Sequence, residues 1–563
     1  MTNELRDIRS VWLHPPVSPI TASSKTLGKI DLAKNLANLS RCKNMTLNTA
    51  YLWTALRPRF FSLIMGATAA LAVWTMAETA QGQQLGISGG QEAAAAGWKS
   101  LTNQPPFDTD TALLLTDGTV MVHEYGNSNW WRLTPDINGS YLKGTWSQLA
   151  SMQSSYGPLY FASAVLADGR VLVEGGEYNF LQFVETNKGA IYNPLTNTWT
   201  VVNPPTGWSS IGDSPAVVLK DGTFTMGQGG FSTTKQVLFN AATLTWSAVG
   251  TGKADNFSEE GFAILPDGTV LTVDCANGTN SERYNPSTGQ WTTAGSTIVK
   301  LPDASSLEIG PEIQRPDGTV VAFGGTIHNS IYSTSTGTWS PGPDFPGGND
   351  MADAPASLLP DGTILTATSP GVFQNPVTFF IFDGITFTQA PPTQSSGSLT
   401  SYQERFLLLP TGQILSLVAD GNTIDVELYT SGIAANPAWA PTITSVPATL
   451  TRGASFQISG TQFNGLSAGS AYGDDAQMAS NYPLVRITNE ATRHVFYART
   501  HDHSTMGIAT GSAIVSTTFD VPATAELGAS KIVVVANGIP SRPKLVTVAL
   551  TSTVPPSSRS RQP

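Results

Sequence analysis

Short apolar runs interrupted by a polar turn recur through most of the chain. The clearest copy is Glu259 to Asp274, EEGFAILPDGTVLTVD, where two apolar runs flank Asp267-Gly268. The same turn stands at Asp117-Gly118, Asp168-Gly169, Asp221-Gly222, Asp317-Gly318, Asp361-Gly362 and, in degenerate form, Thr411-Gly412, at intervals of 51, 53, 46, 50, 44 and 50 residues. Two apolar runs around such a turn predict an antiparallel hairpin, because glycine, and to a lesser degree aspartate, tolerate the positive φ of a tight reversal. A second pattern follows at a similar offset: IYNPLTNTW (191–199), LFNAATLTW (238–246), RYNPSTGQW (283–291) and IYSTSTGTW (331–339). An aromatic, a polar turn and a tryptophan predict another hairpin, so each copy supplies four strands.

Four short strands repeated seven times, with the Gly-Gly pairs Gly175-Gly176, Gly229-Gly230 and Gly324-Gly325, predict an all-β fold: a seven-bladed kelch-type β-propeller over 98–431. One copy cannot bury both faces of its sheet, whereas a closed ring can. At Pro441 the pattern changes to PTITSVPATLTRGASFQISGTQF and continues through LVRITN (484–489), HVFYART (494–500) and KIVVVANG (531–538). These alternating strands predict a separate immunoglobulin-like β-sandwich over 440–550. A composition of 13% charged residues with 53 Gly and 37 Pro fits a turn-rich β protein.

The ends read differently. Residues 1–44 show no periodicity and are expected to be disordered, as is the tail 551–563. From Met45, Arg57 and Arg59 precede the uncharged stretch FFSLIMGATAALAVWTMA (60–77) and the small-x-small triplet Ala80-Gln81-Gly82. This predicts a signal peptide over 45–82 and an exported chain, outside the cell, in the periplasm or at the cell surface. A retained membrane anchor is the alternative, and it would be the chain's one membrane contact. Residues 1–82 hold 9 of the 30 basic and 4 of the 41 acidic residues, leaving 21 against 37 and a net charge of −16. Such a surface excludes nucleic acid as a partner and favours saccharides or another cell-surface ligand. Cys42 lies before the signal, so Cys275 has no intramolecular disulfide partner in the exported chain.

Candidate chemistry comes from register. Eight residues before each turn stand Thr109, Tyr160, Asp213, Glu259, Ile309, Asp353 and Gln403; seven before stand Asp110, Glu260 and Glu404. Equivalent positions in radially repeated sheets converge on one axis, so Asp213, Glu259 and Asp353 are expected in an acidic ring, or else as solvated loop tips. In the sandwich, His501 and His503 are two apart in a strand; they share a face and a possible cation, or sit as polar residues at a strand end.

A signal segment, seven kelch units and a C-terminal early-set sandwich with a threonine-histidine pair resemble the galactose oxidase and glyoxal oxidase family of copper radical oxidases, over residues 98 to 550. The resemblance implies a tyrosine-histidine pair ligating copper just before the innermost strand of the last blade, where this chain has Tyr402 and Gln403. It implies a further histidine carried up through the channel by a sandwich hairpin, for which Thr500-His501 is the match. It also implies a cysteine-tyrosine crosslink at positions occupied here by Tyr160 and Asp213. Copper(II) favours nitrogen-rich tetragonal sites, and an amide is a poor substitute for imidazole.

The resulting expectation is a non-catalytic, galactose-oxidase-like propeller protein that binds a saccharide or other surface ligand at its channel mouth. Tyr160, Asp213, Glu259, Asp353, Tyr402, Gln403 and Glu404 are its candidate binding residues, and no cofactor is expected. The alternatives are an oxidase with an atypical copper centre at Tyr402, His501 and His503, and a structural envelope interaction protein. The sequence carries no P-loop, dinucleotide-binding glycine fingerprint, HExxH or nucleophile elbow.

Overall fold

The computed structural model describes residues 96–230, 233–473 and 478–550. The expected extension (1–44), signal or anchor (45–82) and tail (551–563) lie outside the described residues. Among the described residues there is no α-helix; apart from three single 3-10 turns, every regular element is a strand.

Seven antiparallel sheets follow one another along the chain, six of four strands and one, the sixth, of five. In the first, Thr109–Leu114, Val120–Glu124, Trp130–Thr134 and Thr145–Gln148 pair in sequence order. The later sheets start with Ala162–Val165, Ala216–Val218, Ala263–Ile264, Glu312–Gln314, Pro355–Leu358 and Glu404–Leu408. All seven starting strands are buried along their length, whereas a fourth strand such as Thr145–Gln148 is mostly exposed. The last starting strand packs beside the first, which joins the seventh sheet to the first sheet. Only three strands of that seventh sheet follow in sequence. Its fourth is Gly97–Ser100, running antiparallel to Val426–Thr430 with Gly97 opposite Thr430. The arrangement is consistent with a β-propeller followed by a β-sandwich.

The turns form by a different device from the one expected of Asp-Gly. Gly118 takes φ 75° and Gly268 φ 88°, but their aspartates stay out of the left-handed region. The Asp117 Oδ1 instead accepts the Thr119 N–H at 3.0 Å, and Asp267 does the same for Thr269. Gly118 N–H closes on Leu115 O, so the reversal is a four-residue turn in which glycine supplies the dihedral and aspartate an acceptor.

The tryptophans of the second hairpin link successive sheets. Trp199 donates its indole N–H to Ala150 O, Trp246 to Asn203 O, Trp291 to the Gln236 side chain and Trp339 to Ser281 Oγ, all at 2.8 to 2.9 Å. Each acceptor belongs to the preceding sheet or the segment leaving it. Each tryptophan also packs on its own sheet's aromatic, with Phe239 and Trp246 ring centroids 4.7 Å apart.

From Thr442 to Ala549 the chain builds one further pairing path around its own core, which includes Leu450, Ile458, Phe463, Ile487, Phe519 and Val534. This unit meets the Asp-Gly end of the seven sheets: Thr500 N–H bonds Thr116 O, His503 N–H bonds Ala167 O and Met506 N–H bonds Lys220 O. One segment leaves it. Ser470–Tyr472 runs among the starting strands and adds a fifth strand beside Pro355–Leu358, with Tyr472 opposite Pro355.

Candidate functional site

The starting strands begin at one end of the sheets, opposite the Asp-Gly turns, and the residues just before them form the candidate mouth. Tyr160, Glu259 and Asp353, at equivalent register, all adopt left-handed backbone, with φ of 51°, 61° and 47°. Side-chain-bearing residues adopt this only at a cost of about 1 kcal/mol or more each, which the surrounding structure must offset. Glu259, Glu308 and Asp353 each bring a carboxyl oxygen within 4.8 Å of the others. Burial, and then the Asp353 carboxylate, push Glu259 up to about 8, with a hydrogen bond from Glu308 opposing them. Asp353 is raised as well, first by burial. Glu259 therefore holds its proton at neutral pH, so the trio offers a donor beside its acceptor oxygens.

Glu308 stands nine rather than eight residues before its turn, which is why fixed counting selected the buried Ile309 instead. Asp213 lies at the mouth, close enough to Tyr178 for its charge to raise that phenol, but outside the trio. The expected ring is thus two of three residues plus a neighbour.

The acids one position nearer the turns face into their sheets, because successive side chains of a strand alternate. Each meets a partner on the adjoining strand. Asp110 Oδ2 lies 2.9 Å from His123 Nδ1, Glu260 accepts from Thr272 Oγ1 at 3.0 Å, and Glu404 accepts from Ser416 Oγ at 2.7 Å. Glu260 also pairs with buried Lys253, which binds Asp274 and Glu282 too. Glu404, expected at the ligand, is buried in the seventh sheet, where burial raises it to about 8. Gln403 is likewise turned inward: its Oε1 accepts the Thr400 N–H at 3.0 Å and caps a 3-10 turn.

The same alternation sends Arg405 to the channel side. Its guanidinium lies 3.9 Å from the centroid of the Tyr472 ring and 5.8 Å from that of Tyr160. Nη1 donates to Tyr402 O at 2.7 Å, and Tyr472 donates its hydroxyl to that carbonyl at 3.0 Å. Tyr402 packs edge-on to Phe373 at 5.2 Å, and Tyr160 to Tyr178 at 6.0 Å. Burial raises the Tyr402 and Tyr160 phenols and takes Tyr178 to about 12, so all three remain neutral. Arg405, Tyr178 and Tyr472 were not singled out in the sequence. Arg405 was one alternation step from Glu404, whereas Tyr472 comes from the inserted segment, which leaves no periodic signal.

The structure does not bring Tyr402 together with His501 and His503. Tyr160 and Ala167 bracket one starting strand; Tyr160 is at the mouth and Ala167 at the turn end, where its carbonyl meets His503. His501 contacts Asp502 at 2.8 Å and Asp520 at 3.2 Å, and His503 contacts Thr517 Oγ1 at 2.8 Å. The sandwich segment reaching toward the mouth is Ser470–Tyr472, not the Thr500-His501 that the resemblance implied. His123 has both ring nitrogens engaged, by Asp110 and by Asn127 O. Cys275 is buried with its thiol donating to Glu259 O at 2.8 Å. These donors do not fit a nitrogen-rich tetragonal copper site.

A cleft of about 730 Å³ lies at the turn end, lined in part by Asp136, Tyr497, Arg499, Asp520 and Glu526. Its acids are already engaged: Asp520 by Arg499 and His501, Glu526 by His494, and Asp136 by the N–H groups of Asn138 and Ser140. The mouth, with its neutral phenols and the protonated Glu259 beside two further carboxyls, is the better candidate site.

No family model matches the chain, and no curated protein matches it. Among solved structures it is similar to a novel fungal alcohol oxidase with catalytic diversity among the AA5 family, in complex with copper. That likeness is 16% identical, covers 81% of this chain and 100% of the other, and has a TM-score of 0.47. It is also similar to the structure of YjhT, at 14% identity, 52% and 99% coverage and a TM-score of 0.35. Neither likeness assigns a chemistry to the mouth.

Proposed function

We propose that the chain is an exported, galactose-oxidase-like protein, a seven-bladed kelch-type propeller with an immunoglobulin-like domain, that binds an uncharged saccharide or polyol at the mouth without copper radical chemistry. The observation that carries this reading is the carboxyl trio of Glu259, Glu308 and Asp353 at the same end of the sheets as the aromatic wall of Tyr160, Tyr178 and Tyr402. Rings supply flat apolar faces for a sugar, and partly protonated carboxyls exchange hydrogen bonds with its hydroxyls. The acidic balance of the chain disfavours anionic ligands. A glycan array followed by calorimetry on the purified chain tests it. Tyr402→Ala and Asp353→Asn are each expected to weaken the bound glycan at least about tenfold, the equivalent of one or two lost hydrogen bonds or ring contacts. An array without a hit, or affinities unmoved in both variants, would overturn the proposal.

One observation favours a second reading, a hard divalent cation held by the same trio: three carboxyl oxygens mutually within 4.8 Å are oxygen donors of the kind calcium takes. Calcium titration separates the two. Saturable binding abolished in Glu308→Gln supports the cation, and heat that does not change on titration removes it.

A further inference from the structure

The connection between second and third strands lies at the mouth end of each sheet, and in the second sheet it is unusually long. It runs from the end of Val171–Glu174 to the start of Gly189–Asn193, fourteen residues (175–188), against nine (369–377) in the next longest. It folds into a small hairpin, Tyr178–Asn179 with Gln182–Phe183, whose first arm pairs with Pro158–Leu159.

Within this hairpin and just beyond it, Phe180, Leu181, Phe183 and Val184 are 37, 54, 63 and 51% exposed. No other two large exposed apolar side chains lie within four residues of each other among the described residues. Exposed apolar side chains gathered in one short segment mark a contact site more often than chance placement does. The patch is continuous with the mouth wall: the Tyr178 ring lies 5.8 Å from Phe183 on one side and 6.0 Å from Tyr160 on the other. Leu181 folds back over Gly126, where an added Cβ would meet its Cδ2 at 2.3 Å.

Resting on the saccharide reading of the mouth, we infer that its ligand is an amphiphile, with an uncharged polyol head in the mouth and an alkyl or aryl tail across Leu181, Phe183 and Val184. The occupant follows from what adjoins the patch. An apolar shelf leading into a tyrosine-walled mouth suits one molecule with both characters. Glu177 and Glu185 at the two ends of the hairpin, with the acidic balance of the chain as a whole, disfavour the anionic head of a fatty acid.

Calorimetry on the full chain tests this with matched methyl and n-octyl pairs of glucoside, galactoside and maltoside, the octyl members below their micelle concentrations. Burial of each methylene is worth roughly fourfold in affinity, so the octyl member of the preferred pair is expected to bind at least about tenfold more tightly. In a Phe183→Ser/Val184→Ser variant, the octyl-to-methyl ratio is expected to fall toward one with the methyl glycoside unchanged. Val184→Ser alone is the milder form should the double variant melt early. Equal binding of octyl and methyl members, a ratio that survives the substitutions, or octanoate binding as tightly as the octyl glycoside would each overturn this inference and leave the mouth reading standing. Binding of none of the six would overturn both.

Discussion

Glu259, ahead of the fourth sheet, and Asp353, ahead of the sixth, present carboxyl oxygens within 4.8 Å of each other, both from left-handed backbone. Two strained positions so far apart in sequence converge because equivalent register in a radial repeat means one axis. Burial of Glu259, and after it this proximity, has a pH signature. Glu259 titrates near 8 in the folded chain against about 4.5 when unfolded, so between those values the folded state holds the extra proton. Stability must then fall as pH rises through this window, by up to about 1.4 kcal/mol per pH unit for the one group. In Glu259→Gln the decline between pH 5 and pH 8 is expected to flatten, read from denaturant midpoints at each pH. A parallel decline in variant and parent would refute the raised proton affinity of Glu259.

His503 gives the opposite sign at the other end of the sheets. Burial, and then the neighbouring His501, lower its imidazole to about 3; Tyr482 stacks over it, and Asp502, Arg499 and Asp168 supply the remaining charges. Below pH 6.5 the unfolded chain takes up a proton that the folded chain refuses until about pH 3, so stability is lost as pH falls through that range. His503→Gln, which keeps a partner for Thr517, is expected to move the acid-unfolding midpoint downward by several tenths of a pH unit, measured by tryptophan fluorescence, at a cost of about 1 kcal/mol at pH 7.

Trp246→Phe keeps the ring contact with Phe239 but removes the N–H that reaches Asn203 O. The expected loss is about 1 kcal/mol plus the packing of the smaller ring, with the same m-value, in guanidinium unfolding. A loss below a few tenths would show that the indole link between sheets contributes little.

Trp98 anchors the closing strand: its N–H donates to Pro391 O at 2.8 Å, and its ring lies 5.0 Å from those of Phe379 and Tyr429. Trp98→Ala is expected to destabilise by about 3 kcal/mol and to speed hydrogen exchange in Val426–Thr430 ahead of the rest. Uniform exchange across all seven sheets would mean that closure is not the weak point.

The repeat was legible because turn chemistry is local: a glycine at positive φ and an aspartate acceptor two residues before a bonded N–H leave the same mark each time. Glu259 and Asp353 were legible for the same reason, since register carried them to the axis. Glu308 was lost to one extra residue of loop, and Arg405 was passed over for Glu404 because alternation within a strand is decided by where the strand begins. Tyr472 was beyond reach, because a three-residue strand that leaves its neighbours in sequence to join a distant sheet is specified by tertiary packing alone. The Thr500-His501 pair misled for a related reason: its sequence context carried no information on which end of the sheets the sandwich would meet.

The pairing of Gly97 with Thr430 also sets a clock. Gly97–Ser100, the first of the described strands to emerge from the ribosome, waits for its partner until 333 further residues have been made, roughly 20 to 60 s at ordinary rates of synthesis. Throughout that interval Gly97–Ser100 lacks its partner and is an open edge, the kind that recruits other chains. Most of this protein's exposure to misassembly is therefore concentrated before its last sheet is complete, and holding Gly97–Ser100 apart from other strands until then is a task for whatever accompanies the nascent chain.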